Sequence, residues 1–165
     1  MSFEDLYDKY FTRIYNYLRY RLIERDAADD LVSAVFEKVL DKYDSFDPER
    51  HGLEPWLFAI ARNTLNDYFR RKKVRGWLSI SDHEENLASD ESVEGAAQRS
   101  EENAMLLGAL KQLSEQEREL IAMKFTLEMT NRDIAGEVGL GESNVAVILF
   151  RAMKKLRELL GPESI

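Results

Sequence analysis

The chain has 165 residues, 44% hydrophobic and 33% charged, with a net charge of −8 and no cysteine. That balance describes a soluble globular protein of one domain or two small ones and excludes disulfides and cysteine-bound metal. No apolar run approaches the roughly 18–20 residues of a membrane-spanning helix, and the acidic, aromatic opening MSFEDLYDKY lacks the features of a secretory leader, so a cytoplasmic protein with no direct membrane insertion is expected.

Phe3, Tyr7, Tyr10, Ile14, Tyr17 or Leu18, and Leu22 recur at helical spacing and predict a first helix over roughly residues 3–24. Asp26, with Asp29 three residues on, resembles a capping box opening a second helix from Ala27 to about Tyr43, with Leu31, Ala34, Val35, Lys38 and Val39 near one face. DSFDPERHGLE, residues 44–54, holds a proline, a glycine and a cluster of acids and reads as a loop.

The next stretch, PWLFAIARNTLNDYFRRKK from Pro55 to Lys73, predicts a third helix, because proline suits a first helical turn. Leu57, Ile60, Ala61, Thr64, Leu65 and Tyr68 make its core stripe, and Asn63, Asn66, Arg70 and Lys73 lie on another face. Residues 54–75 carry six basic and two acidic side chains, a positive island in an acidic chain. A core face opposite a face of amides and cations suits a polar, anionic partner. Trp56 and Phe69 fit either the core or a stacking role.

From residue 76 to 103 the periodicity disappears, and eight acids stand against one base. This reads as a flexible acidic linker, with Trp77 as a possible anchor. Helical spacing resumes at Ala104 with Met105, Leu106, Ala109, Leu110 and Leu113. Ser114 and Glu117 form a capping box that opens a helix from Glu115 to about Phe125. Thr130 caps the next helix, which ends at Gly139. After Gly139-Leu140-Gly141, Ser143 or Glu142 caps a last helix through about Leu160. No strand signal is present, so the chain reads as all-α, in two small helical domains.

The last two helices, TNRDIAGEVGLGESNVAVILFRAMKKLREL, have the short glycine-bearing turn of a helix-turn-helix. Val145, Leu149, Ala152, Leu156 and Leu159 form the expected buried stripe, and Asn144, Ile148, Arg151 and Lys155 share the opposite face. Asn144 and Arg151 suit base edges, since an amide or a guanidinium can bond them bidentately. The same pattern, with its dense apolar run VAVILF, also suits a helical hairpin with no nucleic-acid role. His51 and His83 stand far apart without i,i+4 partners, so neither a metal site nor a cofactor is expected. No glycine-rich phosphate loop or nucleophile–base signature points to an enzyme.

Taken together, AADDLVSAVFEKVL, WLFAIARNTLNDYFRRKK, LSEQERELIAMKF and NVAVILFRAMKKLRELL resemble, in order, the conserved segments of the extracytoplasmic-function sigma factors, a group of the sigma-70 family. The resemblance spans nearly the whole chain. It implies a region 2 helical bundle over residues 1–75, a linker over 76–103, and a four-helix region 4 with the helix-turn-helix over 104–165. It implies an alternative sigma factor that directs core RNA polymerase to promoters and is not itself an enzyme.

The same resemblance implies residue roles. Asp29, Asp30, Leu31 and Phe36 would contact the beta-prime clamp helices, and region 4 the beta flap. Trp56, Arg62, Asn63 and Asn66 would contact the promoter −10 element, with Arg70, Arg71, Lys72 and Lys73 on phosphates. Ser143, Asn144, Ile148, Arg151, Lys154 and Lys155 would face the −35 element, and an anti-sigma factor is an implied partner. Ser33 stands where the family often has glutamine, and Ala146 and Ile148 are neutral where it often has bases. A stand-alone helix-turn-helix regulator and a helical adaptor remain the alternative readings.

Overall fold

The computed structural model describes residues 1–22, 24–78, 97–161 and 163, the side chains of residues 77, 78 and 97–100 excepted. The expected Trp77 anchor, His83 and most of the acidic linker lie outside these residues. Among the described residues there are seven helices: α1 (Phe3–Arg21), α2 (Arg25–Tyr43), α3 (Leu53–Leu78), α4 (Ala97–Lys111), α5 (Glu115–Phe125), α6 (Asn131–Val138) and α7 (Glu142–Leu160). Among the described residues there is no strand.

The first three helices pack around one apolar centre. Leu6, Tyr10, Ile14, Tyr17 and Leu18 of α1 meet Ala28, Val32, Val35 and Val39 of α2 and Leu57, Ile60, Ala61 and Leu65 of α3. Each large side chain buried in this way contributes about 1.5–3 kcal/mol, so the seam needs few polar contacts to hold. The expected α1 stripe is displaced at its start: Leu6 is buried, and Tyr7 is 38% exposed. The expected capping box at Asp26 and Asp29 does not form. Helix α2 starts at Arg25 after Glu24, which makes no side-chain cap bond, and Asp29 instead accepts a bond from the Tyr15 hydroxyl at 2.8 Å. Lys38 reaches across to α3, where its Nζ donates to the buried Thr64 Oγ1 at 3.2 Å. Helix α3 runs past the expected end at Lys73 as far as Leu78, because Val74–Leu78 contains no residue that must stop a helix.

Helices α4–α7 form a second packed group. The Ser114–Glu117 capping box is present in both directions, at 3.2 Å to the Glu117 N–H and 2.9 Å back to the Ser114 N–H. Thr130 caps α6 through the Asp133 N–H, and Gly139 ends it in the left-handed region at φ 72°, where a Cβ would be strained. Helix α7 begins at Glu142 with Gly141, not Ser143 or Glu142, at its N-cap. Val145, Leu149, Ala152 and Leu156 are buried as expected, but Leu159 is 49% exposed, and so is Met105 of α4 at 58%. The two groups touch through α1 and α5. Among the described residues no helix is long and apolar enough to cross a membrane.

Candidate functional site

The turn before α3 is ordered around one residue, Asp47. Asp47 Oδ1 accepts the Glu49 N–H at 3.0 Å, its carbonyl accepts the N–H groups of Arg50 and His51, and its carboxylate pairs with Arg50 at 3.2 Å. Such local bonds fix a turn that would otherwise be mobile. The turn lays Phe46 against Trp56, with ring centroids 4.6 Å apart and planes tilted by 37°. Trp56 is therefore only half-buried, at the mouth of a small aromatic step.

With 100° per residue, Trp56, Asn63, Asn66, Arg70 and Lys73 fall on one side of α3, opposite Leu57, Thr64 and Tyr68. Asn63, Arg70 and Lys73 are exposed and Asn66 is half-buried. Arg70 pairs with Asp67 at 3.2 Å, a solvent-exposed pair of little energetic weight. Arg71 and Lys73 have no ion-pair partner among the described residues. Lys72 points elsewhere, 3.8 Å from Glu24. Arg62 is also turned away from this face: its Nη2 donates to the Glu137 carbonyl at 2.7 Å, and its Nη1 bonds the Glu137 carboxylate. The expected cluster thus separates into an open amide-and-cation face and an arginine engaged by α6.

On the far side of the first group, an apolar groove of about 260 Å³ runs between α1 and α2. Phe3, Tyr7, Phe11, Phe36 and Leu40 line it, with Ser33 and Glu37 among the lining residues. Asp29, Ser33, Phe36 and Leu40 follow one another at helical spacing, so Asp29 stands at one end of the groove. Phe36 is 5% exposed, with its ring 4.7 Å from that of Tyr7, and is mainly a packing residue. Asp30 is exposed on the flank, and Leu31 lies about half a turn away from the groove. Leu40, 55% exposed, was not apparent as a site residue from sequence. Its position four residues after the aromatic Phe36, beside the α1 aromatics, was the available signal.

Helix α7 presents Ser143, Val147, Phe150, Arg151 and Lys154 outward, with Asn144 beside them. Val147 is 45% and Phe150 70% exposed, so the run VAVILF is apolar on its outer face as well as in the core. Ile148 is half-buried instead. Lys155 folds back onto Glu117, at 2.7 Å. Burial raises the Glu117 carboxyl, but bonds from Lys155 and from Ser114 outweigh it and hold the group below the usual carboxylate range. A carboxylate with a depressed pKa adds stability above its unfolded pKa of about 4.3 and loses it as pH falls through the folded value. Glu117→Gln is therefore expected to destabilise the α4–α7 group by about 1 kcal/mol at pH 7. In urea unfolding monitored by circular dichroism, the difference from wild type should shrink as pH falls below the usual carboxylate range.

Comparison with known proteins gives a consistent picture. The family model for sigma-70 region 2 matches residues 6–75, and that for sigma-70, region 4 matches residues 103–156. Over 159 residues the chain is 28% identical to the ECF RNA polymerase sigma factor BldN of Streptomyces coelicolor, covering 96% of this chain but only 60% of that relative. It is 26% identical to the ECF RNA polymerase sigma factor SigM of Bacillus subtilis, covering 96% of this chain and 95% of SigM. It is 30% identical to the ECF RNA polymerase sigma factor SigF of Caulobacter vibrioides, covering 79% and 69%. The fold is similar to that of the sigma factor RpoE crystallised with the anti-sigma factor NepR from Bartonella quintana, with a TM-score of 0.67, 23% identity and 96% of each chain covered.

Proposed function

The chain belongs to the sigma-70 family, in its extracytoplasmic-function group, and works as an RNA polymerase sigma factor; from that premise we propose how its surfaces divide the work. Residues 1–75 are region 2, 76–103 the linker and 104–165 region 4. The α1–α2 groove, with Asp29 and Asp30 at its edge, docks on the beta-prime clamp helices of core polymerase, and region 4 meets the beta flap. The open face of α3 takes the −10 element of the non-template strand. Asn63 and Asn66 offer amides to base edges, Trp56 and Phe46 offer a stacking step, and Arg70, Arg71 and Lys73 offer charge to phosphates.

The open face of α7 takes the −35 element through Asn144, Arg151 and Lys154. Val147 and Phe150 offer apolar contact to thymine methyls, which suits a recognition helix that is neutral at Ala146 and Ile148. The protein contributes recognition and strand opening, and no bond chemistry of its own. Its place of action is the cytoplasm, where polymerase is, and an anti-sigma factor is a proposed partner on the family resemblance.

The observation that carries this reading is the open Asn63–Arg70 face under an ordered aromatic turn, on the same chain as a helix-turn-helix. Stacking on an aromatic contributes about 1–3 kcal/mol per base, enough to hold an unpaired base but not to melt a duplex unaided. Run-off transcription with purified bacterial core polymerase on a genomic fragment library tests it. Transcripts that start only when the chain is added are expected. Their absence, with tight autonomous binding to a two-fold operator, would favour a stand-alone regulator. Absence of any DNA dependence would favour an adaptor.

A further inference from the structure

Glu54, which the sequence places at the end of the 44–54 loop, is the second residue of α3. Its carboxylate ties the first turn of α3 to α1. Oε1 accepts both the Tyr10 hydroxyl at 3.0 Å and Nη1 of Arg13 at 3.1 Å. Tyr10 is 2% exposed, so one of the two bonds comes from the buried side. The Arg13 guanidinium is flanked by two rings, 5.6 Å from the centroid of Tyr10 and 5.0 Å from that of Phe58. Phe58 lies one turn after Glu54 on the same face of α3, and its buried ring meets Tyr10 edge to face. Charge-assisted bonds of this kind are roughly twice as strong as neutral ones.

Trp56 follows Glu54 by two residues, about 200° around the helix. With Glu54 turned to α1, Trp56 is turned away from it, onto Phe46 of the preceding turn at 4.6 Å. The backbone here is tight: the Trp56 N–H bonds the Gly52 carbonyl at 3.2 Å, and a Cβ on Gly52 would stand 3.2 Å from Pro55 Cδ. Leu57 and Phe58 hold this turn by apolar burial, which is non-directional. The two bonds on Glu54 are directional, and they fix how the turn is rotated about its axis. Phe46 is held by the Asp47 turn, so each half of the aromatic step has its own polar tie.

We propose that Glu54 is a positioning residue for the aromatic step: by tying the first turn of α3 to Tyr10 and Arg13, it holds Trp56 at the angle to Phe46 at which an unpaired base stacks. The holding of Trp56 stands on these contacts alone; its consequence for the −10 strand rests on the reading of α3 given above. A step already in its binding geometry spares the cost of ordering it when the base arrives.

Trp56 and Trp77 are the two tryptophans of the chain, so Trp77→Phe leaves Trp56 as the single fluorophore of its kind. In that full-length background, Glu54→Leu is expected to move the acrylamide quenching of Trp56 toward that of the urea-unfolded chain, with far-UV circular dichroism unchanged. Tyr10→Phe removes one of the two bonds and is expected to shift it the same way by less. Glu54→Gln keeps an oxygen that accepts both bonds and is expected to match the parent. Arg13 also bonds the Leu127 carbonyl at 2.8 Å and is left unaltered.

The second readout is binding of the chain, assembled with purified core polymerase, to a labelled single strand carrying the −10 sequence of a promoter from the run-off library. Glu54→Leu is expected to weaken it by about fivefold, the size of effect that coupled contacts show, and by less than about twofold when Trp56 is already alanine. A merely structural loss would be the same in both backgrounds.

Unchanged quenching in both Glu54→Leu and Tyr10→Phe would overturn the tie. A Glu54→Gln chain no better than Glu54→Leu would overturn the two bonds as its cause. An equal loss of strand binding with Trp56 already removed would overturn the route through the step. A Trp56 loosened as described, in an assembly that does not take the −10 strand at all, would uphold the tie and remove the −10 reading instead. Should Glu54→Leu lose helicity, Tyr10→Phe alone carries the comparison.

Discussion

Replacing Asn63 and Arg70 together with alanine is expected to lower open-complex formation strongly while leaving the affinity for core polymerase near wild type. Both side chains are exposed on the open face of α3, and neither supports the core. Arg70 loses only its surface pair with Asp67, so folding stability should stay within about 0.5 kcal/mol of wild type. Each direct contact to a base is worth about 1–3 kcal/mol. Loss of the Asn63 amide from a base and of the Arg70 charge from a phosphate together should therefore lower promoter opening by roughly tenfold or more, since about 1.4 kcal/mol is a factor of ten. The measurement is paired: permanganate reactivity of promoter thymines for opening, and fluorescence anisotropy against core polymerase for docking. Opening that survives the double replacement would move the −10 contact off this face.

The complementary change is Leu40→Asp, which should weaken core polymerase binding by about 30-fold or more and leave the fold intact. Leu40 is 55% exposed in the groove, so the free protein gives up little packing. In the docked state the new carboxylate would be stripped of water against an apolar partner. Hot-spot residues near an interface centre cost about 2 kcal/mol or more when lost, and an unpaired buried charge adds to that. Phe36→Ala is the instructive contrast. Phe36 is 5% exposed and packs with Tyr7 and Phe11, so its removal is expected to cost about 3–5 kcal/mol of stability and to unfold before it informs on docking. Asp30→Ala touches only the exposed flank and should give a smaller, purely docking effect. Asp29→Ala also releases the Tyr15 hydroxyl, so its effect mixes docking with local packing. Surface plasmon resonance with immobilised core polymerase separates these cases.

What sequence revealed and what it concealed follow from the range of the interactions involved. The Ser114–Glu117 box, the Thr130 cap and the left-handed Gly139 involve partners within a few residues, and each was legible as a local pattern. Most of the α3 stripe was equally legible: Leu57, Ile60, Ala61, Thr64 and Leu65 are buried as their spacing predicts, while Tyr68 is half-buried and Phe58 is buried outside the stripe. The start of α2 was not, since Asp29 spends its carboxylate on Tyr15, fourteen residues away. Lys38 looked misplaced near a core face until its bond to Thr64 supplied a polar partner on another helix.

The candidate site shows the same division. Periodicity placed Asn63, Asn66, Arg70 and Lys73 on one open face. It left Arg62 off that face; the resemblance grouped Arg62 with them, and the partner that engages Arg62, Glu137, is 75 residues on. On α7 the buried Val145 and Leu149 of VAVILF follow the expected stripe, while Ile148, expected on the outward face, is half-buried and Val147 and Phe150 are left outside. Lys155 was grouped with the outward residues, but the capping Glu117 holds it instead. Hydrophobicity alone does not tell a core side chain from one that waits for a partner.

The central claim is that this chain opens promoters only together with core polymerase. Permanganate footprinting tests it most directly, on a promoter fragment recovered from the run-off library, with chain alone, core alone and both. Thymines of the −10 element should become reactive only when both proteins are present, and the chain alone should bind the duplex weakly. Tight, specific binding of the chain to duplex DNA without core, or no reactive thymines with both present, would contradict it.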